Sequence, residues 1–205
     1  MEKIQTLKSV GLVVLLLLML IGIWAMRLFN RLVKFRTLSE EGWSGILAVL
    51  KRRRDLIPNL VALASGYMTH ESETLEKITL ARALGQAARS VDEMADAETS
   101  MTAALAGFRL VLENYPALKA DANVMQIQEE LSDLEERIEK VRRYYNATVR
   151  DYNMEMARFP ANLIARPMGF RSAKFFDTDE QSQEVPEIDL SLSKHATPKK
   201  GGDTR

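Results

Sequence analysis

Residues 124–152 read VMQIQEELSDLEERIEKVRRYYNATVRDY, and they contain the longest regular pattern of apolar residues in this chain. Members of the pattern recur at alternating steps of three and four: Val124, Ile127, Leu131, Leu134, Ile138, Val141, Tyr145, Thr148 and Tyr152. This spacing places the set on one face of an α-helix, as in the seam of a helical bundle. We therefore expect one long helix over residues 121–158, with a length of about 57 Å.

Two further stretches show the same alternation. They comprise, first, Trp43, Ile46, Leu50, Arg53, Ile57, Leu60, Ala64 and Tyr67 and, second, Met101, Ala104, Phe108, Val111 and Tyr115. Residues 27–156 contain two prolines and no alternating β-branched runs. The fold class predicted is all-α: an elongated antiparallel bundle of long, coiled-coil-like helices.

Local signals suggest where these helices begin and end. Asp121 is a favourable N-cap for the long helix, and Pro160 ends it because the residue before a proline avoids the α region. A second helix is expected over residues 72–89, followed by a turn with a new cap over residues 90–96. Pro58 lies inside the first stripe, so it should kink or split that helix, and the stripe runs through it in phase, which favours a kink.

Near the N-terminus, residues 9–26 (SVGLVVLLLLMLIGIWAM) carry no charge. As a helix this run is about 27 Å long, which matches the hydrocarbon thickness of a bilayer. A cleaved signal peptide needs small residues at its cleavage site, where this run has Ile23, Trp24 and Met26. A lipoprotein signal needs a cysteine, and the chain has none. We therefore expect an uncleaved signal anchor that crosses the membrane once.

Basic residues flank the anchor on both sides. Four follow it and two precede it together with the terminal amine: Arg27, Arg31, Lys34 and Arg36, against Lys3 and Lys8. The positive-inside rule thus favours a cytoplasmic main domain, and a periplasmic one is the alternative.

The chain divides into a short flank (1–8), the anchor (9–26), the bundle (27–176) and a tail (177–205). The tail lacks apolar periodicity, so it is predicted to be disordered. The last part of the bundle domain, residues 161–176, is rich in apolar side chains, and we expect it to pack on the bundle or on the membrane interface.

The sequence shows no catalytic, cofactor-binding or metal site. Cysteine is absent, the two histidines are His70 and His195, and no nucleophile elbow or phosphate-binding glycine loop occurs. His70 with Glu71 and Glu73 is interpreted as a solvated helix junction. The 28 basic and 28 acidic residues balance, and a helix spreads the basic run 51–54 over all faces, so nucleic acid is not an expected partner. We expect a protein that is not an enzyme.

Five polar residues lie on or beside the stripes: Arg53, Asp55, Asn59, Asn146 and Asn153. One interpretation is a buried polar network that fixes the register of the helices, and the other is a recognition surface for a partner. We favour the network because helical bundles often contain such groups.

Several segments resemble the LemA family: LKRRRDLIPNLV (50–61), GYMTHESETLE (66–76), YPALKADANVMQIQEEL (115–131), ERIEKVRRYYNATVRDYN (136–153), FPANLIA (159–165) and GFRSAKFF (169–176). With the anchor they cover most of the chain. The resemblance implies a single-pass protein of the bacterial inner membrane, with a long antiparallel bundle and no established catalytic residues.

Two functions follow as hypotheses. The first is a membrane-tethered scaffold that docks an unidentified protein partner. The second is a structural protein that self-associates and shapes or organises the membrane. Cross-linking in intact membranes distinguishes a foreign partner from self-multimers.

Overall fold

The computed structural model describes residues 2–68 and 70–177, with side chains from residue 11 onward. Its helices are α1 (Glu2–Ser65), α2 (Ser72–Ala87), α3 (Val91–Leu112), α4 (Pro116–Lys119), α5 (Ala122–Ala157) and α6 (Ala161–Ile164). The described residues contain no β-strand. The predicted all-α class is confirmed. The tail predicted to be disordered lies outside the described residues, apart from Asp177.

The N-terminal ends of α3 and α5 follow from local capping. Asp121 precedes α5, and its carboxylate accepts the backbone N–H groups of Asn123 and Val124 at 2.8 and 3.3 Å. The predicted long helix is confirmed. At α3, Ser90 Oγ accepts the N–H of Glu93 at 3.2 Å. The expected cap is therefore present at Ser90, but the turn predicted over residues 90–96 is wrong, because α3 already begins at Val91.

Helix α1 is continuous for 64 residues, about 96 Å at the α-helical rise. Pro58 lies inside it without splitting it. The apolar run therefore passes directly into the first bundle helix with no intervening loop. Because α1 is uninterrupted, the apolar run and the first helix of the bundle are two parts of the same helix.

Helices α1 and α5 lie side by side in opposite directions. Arg31 of α1 pairs with Glu155 of α5 at 3.0 Å, and Arg52, farther along α1, pairs with Glu130, farther back on α5. The expected antiparallel bundle is confirmed. The hairpin of α2 and α3 packs on α1 to complete a four-helix section around Leu56, Ile57, Leu60, Ile78, Met101, Leu105, Phe108, Leu131 and Leu134.

The four-helix section does not extend along all of α1. Ile46 and Leu50 contact the start of α3 at Met94 and Ala95. Nearer the N-terminus, Leu32 packs instead with residues of α5 and the C-terminal segment. Residues 11–24 are exposed throughout, so this part of α1 projects from the bundle as a bare apolar helix.

Candidate functional site

The C-terminal strap, residues 170–177, lies beside α5 and is held by two asparagines of that helix. Asn146 Nδ2 donates to the carbonyl oxygen of Phe176 at 3.0 Å, and the Phe176 N–H donates to Asn146 Oδ1 at 2.9 Å. Asn153 makes the same pair of bonds with Ala173, both at 2.9 Å. Each side-chain amide thus satisfies both backbone groups of one strap residue.

The spacing of these contacts has a geometric reason. Asn146 and Asn153 are seven helical residues apart, which is about 10.5 Å along α5. Ala173 and Phe176 are three residues apart, which is about 10 Å for an extended chain. The heptad of the helix therefore matches an extended strap. The interpretation that these asparagines fix the register between helices is wrong, since they bind the backbone of the strap.

Aromatic side chains of α1 and α5 also hold the strap. The ring of Phe176 is fully buried, with its centroid 5.7 Å from that of Trp43 on α1. Tyr145 lies 5.4 Å from the same indole, and its hydroxyl donates to the carbonyl oxygen of Lys174 at 2.8 Å. Burial raises the pKa of Tyr145. The strap thus closes the section of the bundle that α2 and α3 leave uncovered, and the expectation that this segment packs on the bundle is confirmed.

A second polar cluster is centred on Arg53, whose side chain is 2% exposed. Its guanidinium forms an ion pair with Glu98 of α3 and reaches Glu135 of α5 at 3.3 Å. Thr102 accepts a further bond at 3.2 Å, and Arg109 of α3 pairs with the same Glu135 at 2.9 Å. The cluster ties three helices together, so the predicted buried polar network is confirmed for Arg53.

The electrostatics of this cluster are dominated by burial. Desolvation raises the pKa of Glu98, and this effect outweighs the attraction of Arg53, which acts in the opposite direction. A cleft of about 270 Å³ lies beside the pair and is lined by both residues. Arg53 Nε is buried without a hydrogen-bond acceptor among the described residues. The cluster contains charges and a hydroxyl but no nucleophile–base pair.

The remaining polar residues of the prediction do not join this network. Asp55 is exposed and pairs with Lys51 at 2.6 Å. Asn59 is exposed and lines an open cleft between α1 and α5. The network interpretation is wrong for these two positions because both point away from the buried face of α1. Among the described residues, no group of three or more metal-binding side chains is assembled.

Sequence reasoning missed a groove on the outer face of α2 and α3. It encloses about 480 Å³ and is lined by Thr74, Lys77, Leu80, Ala81, Leu84, Ser100, Ala103, Ala104, Gly107 and Val111. The α3 wall is built from small side chains, and Leu80 and Leu84 of α2 are exposed beside it. The signal in the sequence was the series 100, 103, 104 and 107, which places small residues on one helical face.

The projecting end of α1 has the properties of a membrane span. It is long and apolar enough to cross a bilayer, and none of its most apolar window is buried in the protein. Fold and sites together define a class: α-helical bundles that continue from an N-terminal helix, itself a candidate membrane span. The model of the LemA family matches residues 42–190, and the chain belongs to that family.

Curated relatives agree with this assignment. Protein LemA of Metamycoplasma hominis is 26% identical over 165 residues, which cover 80% of this chain and 74% of that protein. Magnetosome proteins MamQ 1 and MamQ 2 of Paramagnetospirillum magneticum are each 30% identical over 95 residues. These residues cover 46% of this chain and 35% of each magnetosome protein, so about a third of their length is matched.

Proposed function

We propose that this chain is a non-enzymatic scaffold, anchored in the bacterial inner membrane by residues 9–26, which docks another envelope protein on its helical bundle. The observation that carries the proposal is the continuity of α1. The same helix supplies the exposed apolar end and the buried seam of the bundle, including Ile46, Leu50 and Leu60. A bundle carried on such a helix presents its outer faces at a fixed height above the bilayer.

The docking face that we propose is the groove between α2 and α3, and the occupant is an amphipathic helix of the partner. A helix lays its apolar face into a groove when large side chains on one surface meet small ones on the other. Ala103, Ala104 and Gly107 leave room for large side chains, and Leu80 and Leu84 offer apolar contact. A Cβ on Gly107 would meet no atom within 4 Å, so the space there is unfilled by this chain.

Gly107→Phe tests the groove by filling it. The matched control is Gly45→Phe, because Gly45 is also partly exposed on a helix and a Cβ there also meets nothing within 4 Å. A photo-reactive residue replacing the exposed Leu84 should cross-link one discrete foreign protein in intact cells. We expect that product to disappear with Gly107→Phe and to persist with Gly45→Phe. Loss of the cross-linked product with both variants, or with neither, would contradict the proposal that the groove is the docking face.

Self-assembly is the second candidate function. It is supported by the same exposed groove, which a second copy would also fit, and by the similarity to proteins named for magnetosomes. A ladder of self-multimers in the cross-linking experiment, in place of a foreign product, would establish this alternative.

The side of the membrane on which the bundle lies is part of the proposal. The excess of basic residues after the anchor favours the cytoplasm. Reporter fusions after Arg205 test this: activity of a cytoplasmic reporter is expected, and activity of a reporter that folds only in the periplasm would reverse the orientation.

A further inference from the structure

We propose that the base of the bundle, defined as residues 27–36 of α1 together with residues 156–171, is a lipid-binding surface that lies against anionic phospholipid headgroups. The inference rests on the proposed function in one respect, because it requires residues 9–26 to span the membrane. It goes further by assigning a second, peripheral contact between the folded domain and the same bilayer.

The register between α1 and α5 places the base at the membrane surface. Arg31 pairs with Glu155 at 3.0 Å, and the two helices run in opposite directions. Met156 directly follows Glu155 and clusters with Leu32 of α1 and with Ala165, so the end of α5 and the connection after it lie beside the first bundle turns of α1. The ring of Phe170 stacks edge-on against Phe29 at 5.6 Å, so the start of the strap lies at the same level.

The base exposes apolar side chains that its own fold does not cover. Phe159 is 74% exposed, and Leu163 and Met168 are also exposed. All three lie in the connection between α5 and the strap, beside the point where α1 leaves the bundle. Aromatic and aliphatic side chains at this depth enter the boundary between headgroups and acyl chains.

The charge of the base complements an anionic surface. Its two segments contain four and three basic residues, respectively, and no acidic residue, in a chain that is neutral overall. Two carboxylates face these basic residues: Glu155 of α5, which is buried and pairs with Arg31 and Arg158, and Glu40 of α1, which pairs with Arg36. Clusters of basic residues next to a membrane span attract anionic lipids.

Spin labelling of the full chain in vesicles tests the proposal. The chain has no cysteine, so Phe159→Cys, Leu110→Cys and Leu17→Cys each provide one labelling site. Leu110 is the matched control because it is an apolar residue on α3 with the same 74% exposure as Phe159. The vesicles contain phosphatidylcholine with roughly one-third phosphatidylglycerol, or phosphatidylcholine alone.

The measurement is the ratio of nitroxide collisions with oxygen, which concentrates in lipid, to collisions with a water-soluble nickel chelate. We expect a ratio at position 159 severalfold above that at 110 and below that at 17, and a larger ratio in the anionic vesicles. If the ratio at position 159 equals that at position 110 while the ratio at position 17 indicates hydrocarbon, the proposed lipid-binding surface is wrong. The proposed membrane anchor is then still supported. If 17 itself reports water, the proposed anchoring fails as well.

Two further results would overturn the proposal. Equal ratios in the two vesicle types would show that the base does not prefer anionic lipid. Magnetic coupling between labels at 159 that disappears on dilution with unlabelled protein would show that a second copy, and not the bilayer, covers the base.

Discussion

Asn146 of α5 binds both backbone groups of Phe176 through its side-chain amide, at 2.9 and 3.0 Å. An amide side chain carries a carbonyl acceptor and an N–H donor side by side, so it can pair with both backbone groups of one extended residue, as a neighbouring strand would. The ring of Phe176 is thereby held against Trp43, whose indole also packs on Tyr145. The strap is a bound segment of the fold, fixed by side chains, even though it has no helix or strand of its own.

Removal of an asparagine should release the strap without unfolding the four-helix section. Asn146→Ala leaves the backbone groups of Phe176 without partners, and we expect it to lower the free energy of unfolding by about 1–3 kcal/mol. Trp43 fluorescence reports the release because its ring packs on Phe176. The measurement uses a Trp24→Phe background, so that Trp43 remains as the single tryptophan.

Asn59→Ala is the control for this prediction, since Asn59 is an exposed residue of α1. It should leave both the fluorescence and the urea midpoint nearly unchanged. An equal effect of the Asn59 and Asn146 variants would show that the clamp does not hold the strap.

The ion pair of Arg53 and Glu98 should behave as a coupled unit. Glu98→Leu leaves a buried guanidinium that cannot lose its charge, and breaking such a pair costs about 3–5 kcal/mol. Arg53→Leu should cost less, because the remaining carboxyl can take up a proton. The double variant should be less destabilised than the sum of the two, as measured by a double-mutant cycle in urea. Additive losses would indicate that the two side chains act independently.

The raised pKa of Glu98 predicts a specific dependence of stability on pH. In the folded protein this carboxyl holds its proton to a higher pH than in the unfolded chain. Its contribution to stability is therefore complete below the ordinary glutamate pKa of about 4.3 and is lost as pH rises through the folded value.

Glu98→Gln removes this titration and serves as the reference. The free energy of unfolding of the unmodified chain, minus that of the variant, should fall as pH rises from about 4 towards 7. Urea titrations at several pH values measure the difference. A difference that grows with pH would mean that Arg53 stabilises the charged carboxylate of Glu98 by more than burial destabilises it.

Gly42 and Gly45, which both lie inside α1, should respond oppositely to substitution. A Cβ on Gly42 would lie 3.3 Å from the Cα of Tyr145, so Gly42 is a point of close helix packing. Gly42→Val should cost about 1–3 kcal/mol through overpacking. Gly45 faces open space, and Gly45→Ala should stabilise the chain by about 1 kcal/mol through helix propensity. Thermal melts followed by circular dichroism compare the two variants. A loss of stability with Gly45→Ala would contradict the conclusion that Gly45 faces open space.

Much of the fold could be predicted from local signals. The long seam on α5 and the cap at Asp121 were evident because periodicity and capping depend on residues within one or two turns. The span was evident because eighteen uncharged residues form a contiguous segment. The buried position of Arg53 followed from its place in phase with the seam of α1.

The contacts of the candidate sites could not be predicted in the same way. Asn146 and Asn153 lie beside the seam, and nothing nearby in the sequence shows that their partners are Phe176 and Ala173, some 20–30 residues away. The same limit applies to the groove, because the faces that α2 and α3 leave uncovered depend on how their hairpin docks on α1.

The sequence alone determined that this chain is helical, that one apolar segment suits a bilayer and that its long helices have buried faces. These properties arise from residues close together in the chain. Only the tertiary structure decided that the strap fills the gap between α1 and α5, that Glu98 is the partner of Arg53, and that Phe170 packs against Phe29. Those relationships depend on the relative register of helices, which is set by the packing of the whole bundle.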